Sequence, residues 1–289
     1  MEPQCEVVKF NAPDSYIYTG LLYRAENSRK TIIHIHGTCG NMLSFSSLIY
    51  LADAYTKNGY NLLTFDLKAH DCIAEGNWVN KEFNDNFFYY VGGSIEPFEG
   101  CITDIESAIN YVKIFSDIII LQGHSMGCER IITFQLVTKT FYDTILLSPC
   151  DGYKLQIDYI YPKTIDEQIE ELKNYDDSSL LPQHFFGIKE GDECYTIPIY
   201  KKALHSILTG YALKVFRLDK DIDYFLPISC ICLIGNRDYL QTHEPQVFFS
   251  KIKNKFLNFD ACIINGDHEL KPAEVDMVNS VISWLINKK

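Results

Sequence analysis

The chain has 289 residues, of which 47% are hydrophobic and 22% charged, the proportions of an ordinary globular protein. Its formal net charge of −12 argues against nucleic acid or an anionic membrane surface as a partner. No apolar segment is long enough to span a bilayer, and the first residues lack the basic start and apolar stretch of a signal peptide. Ten scattered cysteines indicate a reduced, cytoplasmic protein rather than a disulfide framework.

Strands and helices are predicted to alternate for most of the chain. The strands, short apolar runs bounded by turn residues, are expected at residues 5–10, 17–23, 31–36, 61–66, 117–122, 144–147, 229–234 and 261–264. The helices are expected at residues 41–57 with Asn41 as the cap, at 101–112, directly after residue 125, at 165–175 and at the C-terminus. This alternation predicts a mostly parallel sheet covered by helices on both faces, with functional groups at the carboxyl ends of the strands.

The sequence Gly123-His124-Ser125-Met126-Gly127 stands between a buried strand and a helix. A serine that attacks a carbonyl must stand on a very tight turn, which leaves no room for Cβ atoms two residues to either side. Gly123 and Gly127 meet that requirement, so Ser125 is the candidate nucleophile. The alternative is a tight strand-to-helix connection with a surface serine.

A nucleophilic serine requires a base and a carboxylate that orients the base. Asp238 follows the strand at residues 229–234, and His268 follows the next strand in the same way. Of the two histidines beyond Asp238, His243 has no strand before it, so His268 is the candidate base. The order Ser125, Asp238, His268 is the order of the α/β-hydrolase triad.

An oxyanion hole would take one backbone N–H after the nucleophile, from Met126, and one from the loop after an early strand, from Thr38. His34 and His36 alternate on that early strand. No nearby Cys, Asp or Glu completes a metal-ligand set, so we expect both to be hydrogen-bonded structural residues. We expect neither a metal nor a cofactor.

These motifs resemble those of α/β-hydrolases of the serine-aminopeptidase-like and monoacylglycerol-lipase-like type. The resemblance rests on His36-Gly37-Thr38, on residues 123–127, on Gly235 with Asp238 and on Gly266 with His268, and it extends from about residue 30 to the last helix. It implies the α/β-hydrolase fold and a Ser125–Asp238–His268 triad.

Two segments interrupt the alternation of strands and helices. Residues 72–97 carry a cluster of aromatic residues, including Trp78 and Phe83, in what we interpret as a loop. Residues 151–223 stand where this topology inserts a lid above the nucleophile, which divides the chain into a core of residues 1–150 and 224–289 and a lid. The lid's aromatic residues are expected either to line an acyl pocket or to pack the lid onto the core; they include Tyr159, Tyr161, Phe185, Phe186 and Tyr211.

The sequence thus predicts a serine hydrolase that cleaves an ester or thioester through an acyl-enzyme. The expected partner is a small-molecule acyl substrate. If the chain forms an oligomer, we expect a homodimer. Three alternatives stay open at this point: an acyltransferase with the same triad, hydrolysis of a carbon–carbon bond, and a ligand-binding protein without catalysis.

Overall fold

The computed structural model describes residues 4–80, 85–182, 184–190, 193–220 and 223–288. The strands are β1 (Gln4–Asn11), β2 (Ile17–Arg24), β3 (Lys30–Ile35), β4 (Asn61–Phe65), β5 (Ala74–Asn80), β6 (Asp85–Val91), β7 (Ile118–His124), β8 (Thr144–Leu147), β9 (Gly187–Glu190), β10 (Glu193–Thr196), β11 (Leu226–Gly235) and β12 (Phe256–Ile264). The α-helices are α1 (Leu48–Lys57), α2 (Cys101–Val112), α3 (Met126–Thr138), α4 (Gly152–Leu155), α5 (Ile165–Leu172), α6 (Lys201–Thr209), α7 (Pro245–Ile252) and α8 (Glu274–Asn287).

One central sheet contains eight of these strands, in the order β1-β2-β4-β3-β7-β8-β11-β12. β1 pairs antiparallel with β2, and β2 pairs antiparallel with β4. From β4 to β12 every neighbouring pair is parallel. The inner strands have nearly continuous apolar sequences because a parallel sheet is buried on both faces.

Both faces of the sheet carry a hydrophobic core. On β3, Ile33 and Ile35 pack on the face covered by α2 and α3, whereas Ile32 packs on the opposite face, which α1 and α8 cover. This alternation follows from the two-residue period of a strand. The predicted mostly parallel sheet with helices on both faces is confirmed.

Helix α1 begins later than the sequence predicts. Asn41 does not cap it: its side chain accepts a hydrogen bond from the Leu43 backbone N–H and donates one to Asp71. The helix starts at Leu48, where the Ser47 hydroxyl donates to the backbone carbonyl of Glu269. The later start of the helix therefore coincides with a contact to Glu269, near the other end of the chain. The local sequence cannot reveal a contact of this kind.

The prediction of a loop over residues 72–97 is wrong for much of its length. β5 and β6 form an antiparallel hairpin that pairs Ala74 with Val91 and Asn80 with Asp85. Aromatic residues favour strands, which explains why an aromatic-rich segment forms a hairpin. Phe83, which contributed to the prediction, lies outside the described residues, as do the side chains of residues 77–80 and 85–88.

The two ends of the segment 151–223 are held by one buried carboxylate. Asp151 accepts hydrogen bonds from the backbone N–H groups of Lys154 and Leu218, at 3.0 Å each. Between these points, α5 begins with a capping box in which Thr164 and Glu167 satisfy each other's backbone N–H groups. None of the helices in the described parts of the chain is long and apolar enough to cross a membrane.

Candidate active site

Ser125 occupies the turn between β7 and α3 in a strained backbone conformation. Its φ is 54° and its ψ is −131°, a combination that is costly for a residue with a Cβ atom. The Ser125 N–H donates to the carbonyl of Leu147 at 2.9 Å, so the neighbouring strand holds this conformation. Strain of this kind persists where the surrounding structure enforces it, and it clusters at functional sites.

The two glycines of the turn are required by close backbone contacts. A Cβ atom on Gly127 would lie 2.1 Å from the carbonyl oxygen of Ile35, and one on Gly123 would lie 2.5 Å from the carbonyl carbon of Gly127. Both distances are far inside van der Waals contact. The structure therefore has no room for a Cβ atom at either glycine, as the motif predicted.

Asp238 and His268 meet at the carboxyl ends of two adjacent parallel strands, β11 and β12. His268 Nδ1 lies 3.0 Å from each carboxylate oxygen of Asp238. The Asp238 side chain is fully buried and also accepts a hydrogen bond from the backbone N–H of Leu240 at 2.9 Å. Because a carboxylate can only accept, the proton of a neutral His268 imidazole lies on Nδ1, which leaves the lone pair of Nε2 free.

Thr38 and Met126, the expected oxyanion-hole residues, are in contact. The Thr38 hydroxyl lies 3.3 Å from the sulfur of Met126. Met126 is the first residue of α3, and the first N–H groups of a helix have no partner inside the helix. Thr38 follows β3, which is the neighbour of β7 in the sheet.

A buried arginine holds the loop that carries Thr38. Arg130 Nη1 donates to the carbonyl oxygens of His36 and Gly37, at 2.8 and 3.1 Å. His36 contacts the Gly37 carbonyl through Nδ1 and accepts from the Leu67 backbone N–H through Nε2. Because a backbone N–H can only donate, His36 carries its proton on Nδ1 and donates it to Gly37.

His34 on β3 and His36 directly after it make hydrogen bonds, as the sequence suggested. His34 Nδ1 lies 2.8 Å from the side-chain nitrogen of Gln122. Burial lowers the pKa of His34 to about 3 and the pKa of His36 well below its ordinary value. Within the described ranges, no three His, Cys, Asp or Glu side chains are grouped so that they could hold a metal ion.

His124, which lies between Gly123 and Ser125 in the turn, supports the loop of the candidate base His268. Its Nε2 lies 3.0 Å from the backbone carbonyl of His268 and therefore donates to it. Its ring stacks on Phe45 with 4.3 Å between centroids. Burial lowers the pKa of His124 well below the ordinary value, so it is neutral at physiological pH. Its supporting role was not evident from the sequence.

Four of the five candidate residues line one cavity of about 250 Å³. Ser125, His268, Thr38 and Met126 all line it, and residues from the segment 151–223 complete its wall. Those residues are mainly apolar: Gly152, Leu155, Gln156, Ile160, Phe186, Gly187, Ile207, Ala212 and Leu213. No Lys or Arg of the described chain lines this cavity.

The aromatic residues of the segment 151–223 divide between the two expected roles. Phe186 lines the cavity. Tyr161 and Phe185 are buried and pack against each other with ring centroids 5.1 Å apart. Tyr159 and Tyr211 are exposed. Of these five residues, one therefore contributes to the cavity wall and two to the packing of the segment.

Two charged residues of α3 were missed by the sequence analysis. Glu129 and Arg130 are both buried, Glu129 in the cavity wall and Arg130 against the loop of Thr38. The signal that could have found them is an adjacent acidic and basic residue within a helix whose other residues are mostly apolar. Charged residues are almost never fully buried unless a partner or a function retains them.

No protein-family model matches the chain, and no curated protein matches it. Solved structures do. An esterase from Pyrococcus furiosus, Pf2001, is 16% identical, with a TM-score of 0.60 over 98% of this chain and 90% of that chain. Est1E from Butyrivibrio proteoclasticus, solved with bound ferulic acid, is 15% identical, with a TM-score of 0.64 over 97% of this chain and 98% of that chain. With the sheet order and the strand directions described above, this similarity shows that the chain has the α/β-hydrolase fold.

Proposed function

We propose that the protein is a serine hydrolase that cleaves an ester or thioester through an acyl-enzyme on Ser125. The proposal rests on one observation. The strained Ser125 and the Asp238-bound His268 both line the same cavity. The esterases Pf2001 and Est1E, which share the fold, support the same class of reaction. We also propose that the protein is an enzyme of the monoacylglycerol-lipase-like and serine-aminopeptidase-like type, whose motifs the sequence resembles.

In the proposed mechanism, His268 Nε2 takes the proton of the Ser125 hydroxyl as this oxygen attacks the acyl carbon. Asp238 keeps the proton of the imidazole on Nδ1 and stabilises the imidazolium that forms. The backbone N–H groups of Thr38 and Met126 stabilise the negative oxygen of the tetrahedral intermediate. His268 then protonates the leaving alcohol or thiol, and water, deprotonated by the same imidazole, releases the acid.

The segment 151–223 is proposed to be the lid of this site. It supplies Leu155, Phe186 and Leu213 to the cavity wall, and Asp151 holds its two ends. An apolar cover excludes water and strengthens the hydrogen bonds made to the developing oxyanion. We propose that this lid selects the acyl group.

The first test is intact mass after treatment with a fluorophosphonate probe. We expect one adduct on the wild-type protein and none on Ser125→Ala. Ser44→Ala is a matched control, because Ser44 lines the same cavity, and it should still form the adduct. Labelling of folded Ser125→Ala, or no adduct on folded wild-type protein, would contradict the proposal.

The second test is product analysis with ethyl esters and thioesters of graded acyl length. In water we expect the free acid as the product, with turnover abolished in Ser125→Ala while the melting temperature stays near that of the wild type. If an added alcohol or amine takes the acyl group in preference to water, the protein is an acyltransferase and the hydrolase assignment is wrong.

A further inference from the structure

Two free cysteines, Cys39 and Cys72, lie against each other beside the loop that carries Thr38. Their thiols are joined by a side-chain hydrogen bond, and both side chains pack against the same hydrophobic cluster. The backbone next to them joins the two segments, because the Asp71 N–H donates to the Gly40 carbonyl at 2.8 Å. Two distant parts of the sequence therefore present a thiol pair in contact.

The position of Gly93 shows how closely these segments pack. A Cβ atom there would lie 3.0 Å from the sulfur of Cys39 and 3.2 Å from the carbonyl oxygen of Asp71. The Gly93 N–H donates to that same carbonyl at 2.8 Å. Backbone hydrogen bonds thus fix the residue before Cys72 close to the sulfur of Cys39. The contact between the two thiols is held by the fold and not by side-chain rotamers alone.

Cys72 is the sulfur suited to react first. Its side chain is partly exposed. The hydrogen bond with Cys39 lowers the pKa of Cys72 to about 7, and the thiolate is the form that reacts with oxidants. The same hydrogen bond raises the pKa of Cys39, which keeps Cys39 protonated. A partly exposed thiolate next to a second thiol is the usual arrangement of a redox-sensitive cysteine pair.

Cys39 connects this pair to the proposed oxyanion hole. It directly follows Thr38 and lines the cavity that contains Ser125. Its φ is 49°, a left-handed conformation that leaves a residue with a Cβ atom little freedom. A covalent bond draws its sulfur nearer to Cys72 than contact between thiols does, so the loop and the Thr38 N–H move with it. A displacement of about 1 Å can lower a catalysed rate by about 10²-fold.

We propose that Cys39 and Cys72 are a redox modification site, in which a hydroperoxide forms a reversible disulfide that lowers hydrolysis by displacing the Thr38 N–H. The Cys72 thiolate attacks one oxygen of the hydroperoxide, the O–O bond breaks, and Cys72 becomes a sulfenic acid. The Cys39 sulfur then attacks the Cys72 sulfur, the S–O bond breaks, and the oxygen leaves as water with the Cys39 proton. The two thiols lose two electrons, which reduce hydrogen peroxide to two molecules of water. The effect on hydrolysis rests on the proposed function.

The test treats the reduced protein with hydrogen peroxide, blocks the remaining thiols and identifies disulfide-linked peptides by mass spectrometry. We expect a link between Cys39 and Cys72 that dithiothreitol removes. With the best of the graded esters, kcat should fall by about tenfold or more on oxidation and recover with dithiothreitol. KM should change less, because the oxyanion develops only after the substrate is bound.

Two serine variants assign the effect to this pair. Cys72→Ser keeps a hydrogen-bonding group beside Cys39 and lies outside the lining of the catalytic cavity, so it should have the kcat of the reduced wild type and keep it in peroxide. Cys262→Ser is the matched control. Cys262 is also partly exposed, but it contacts the Ser280 hydroxyl at 3.4 Å, away from that cavity. This variant should lose and regain activity as the wild type does.

The peptide map reports on the thiol pair whether or not the protein hydrolyses esters. Absence of the link between Cys39 and Cys72 overturns the modification site, and a link with unchanged kcat overturns its effect on the oxyanion hole; both leave the hydrolase proposal standing. Inactivation of Cys72→Ser by peroxide to the extent seen in the wild type places the oxidation elsewhere and also overturns the inference. No turnover by the reduced wild type, with the link formed, overturns the hydrolase proposal and supports the disulfide alone.

Discussion

Both carboxylate oxygens of Asp238 lie 3.0 Å from Nδ1 of His268. The contact joins residues 30 positions apart, and it forms because the strands that precede them, β11 and β12, are parallel neighbours in the sheet. The orientation of the imidazole therefore depends on a fully buried acceptor. It is the geometric basis for the first prediction.

Asp238→Asn should lower kcat by about 10⁴-fold with little change in fold. The amide side chain can donate to Nδ1 and so favours the imidazole tautomer in which Nε2 cannot act as a base. Steady-state kinetics with the best ester of the panel would measure the loss. Asp260→Asn, at an exposed position of β12, should retain wild-type kcat; an Asp238→Asn variant of comparable activity would exclude His268 as the base.

Arg130→Lys should lower kcat by about 10-fold to 100-fold and change KM less. The guanidinium group donates to both carbonyl oxygens of the loop before Thr38, and the more compact ammonium cannot reproduce that geometry. Complete loss of one oxyanion-hole donor lowers kcat by about 10²-fold to 10³-fold, which sets the upper limit for this variant. Arg24→Lys, whose side chain pairs with Glu6 outside the cavity, is the control. Unchanged kcat in a variant with a native melting temperature would show that Arg130 does not position the loop.

Gly127→Ala should lower the free energy of unfolding by about 3 kcal/mol or more, because its Cβ would lie 2.1 Å from the Ile35 carbonyl oxygen and backbone must move. Gly100→Ala is the control. A Cβ there has its nearest neighbour at 4.0 Å, so its effect should stay within about 0.5 kcal/mol. Urea denaturation of both variants measures the difference. Equal stability of the two would mean that β3 and α3 do not approach each other this closely.

Glu129 should make the free energy of unfolding depend on pH. Burial raises the folded-state pKa of Glu129 from 4.5 to about 8. The unfolded chain therefore loses this proton at lower pH than the folded chain. The resulting stabilisation is fully present below about pH 4.5 and is lost as the pH rises to about 8.

Urea denaturation at a series of pH values, for wild type and Glu129→Gln, isolates this contribution. The wild type should lose stability relative to the variant between pH 4.5 and 8, the two pKa values of Glu129, because glutamine has no proton to release. A constant difference between the two proteins across that range would show that the folded-state pKa is not raised.

The sequence alone was sufficient to predict the alternation of strands and helices and the positions of Ser125, Asp238 and His268 after the carboxyl ends of strands. Both rest on short-range signals. An apolar run of β-branched residues predicts a buried strand, and a serine between two glycines after such a run predicts a sharp turn. Parallel strands then place the residues that follow them at one edge of the sheet. The geometry around Ser125 and Asp238 agrees with this reasoning.

The start of α1 and the surroundings of Glu129 were decided by tertiary contacts. Helix α1 starts where Ser47 meets Glu269, and Arg130 meets carbonyl oxygens more than 90 positions away. Burial and hydrogen bonding of this kind depend on which distant segments become neighbours. Local propensity therefore determined the elements and the edge of the sheet at which Ser125, Asp238 and His268 lie. Packing determined the charge states and the shape of the cavity, because desolvation and pairing exist only after the chain has folded.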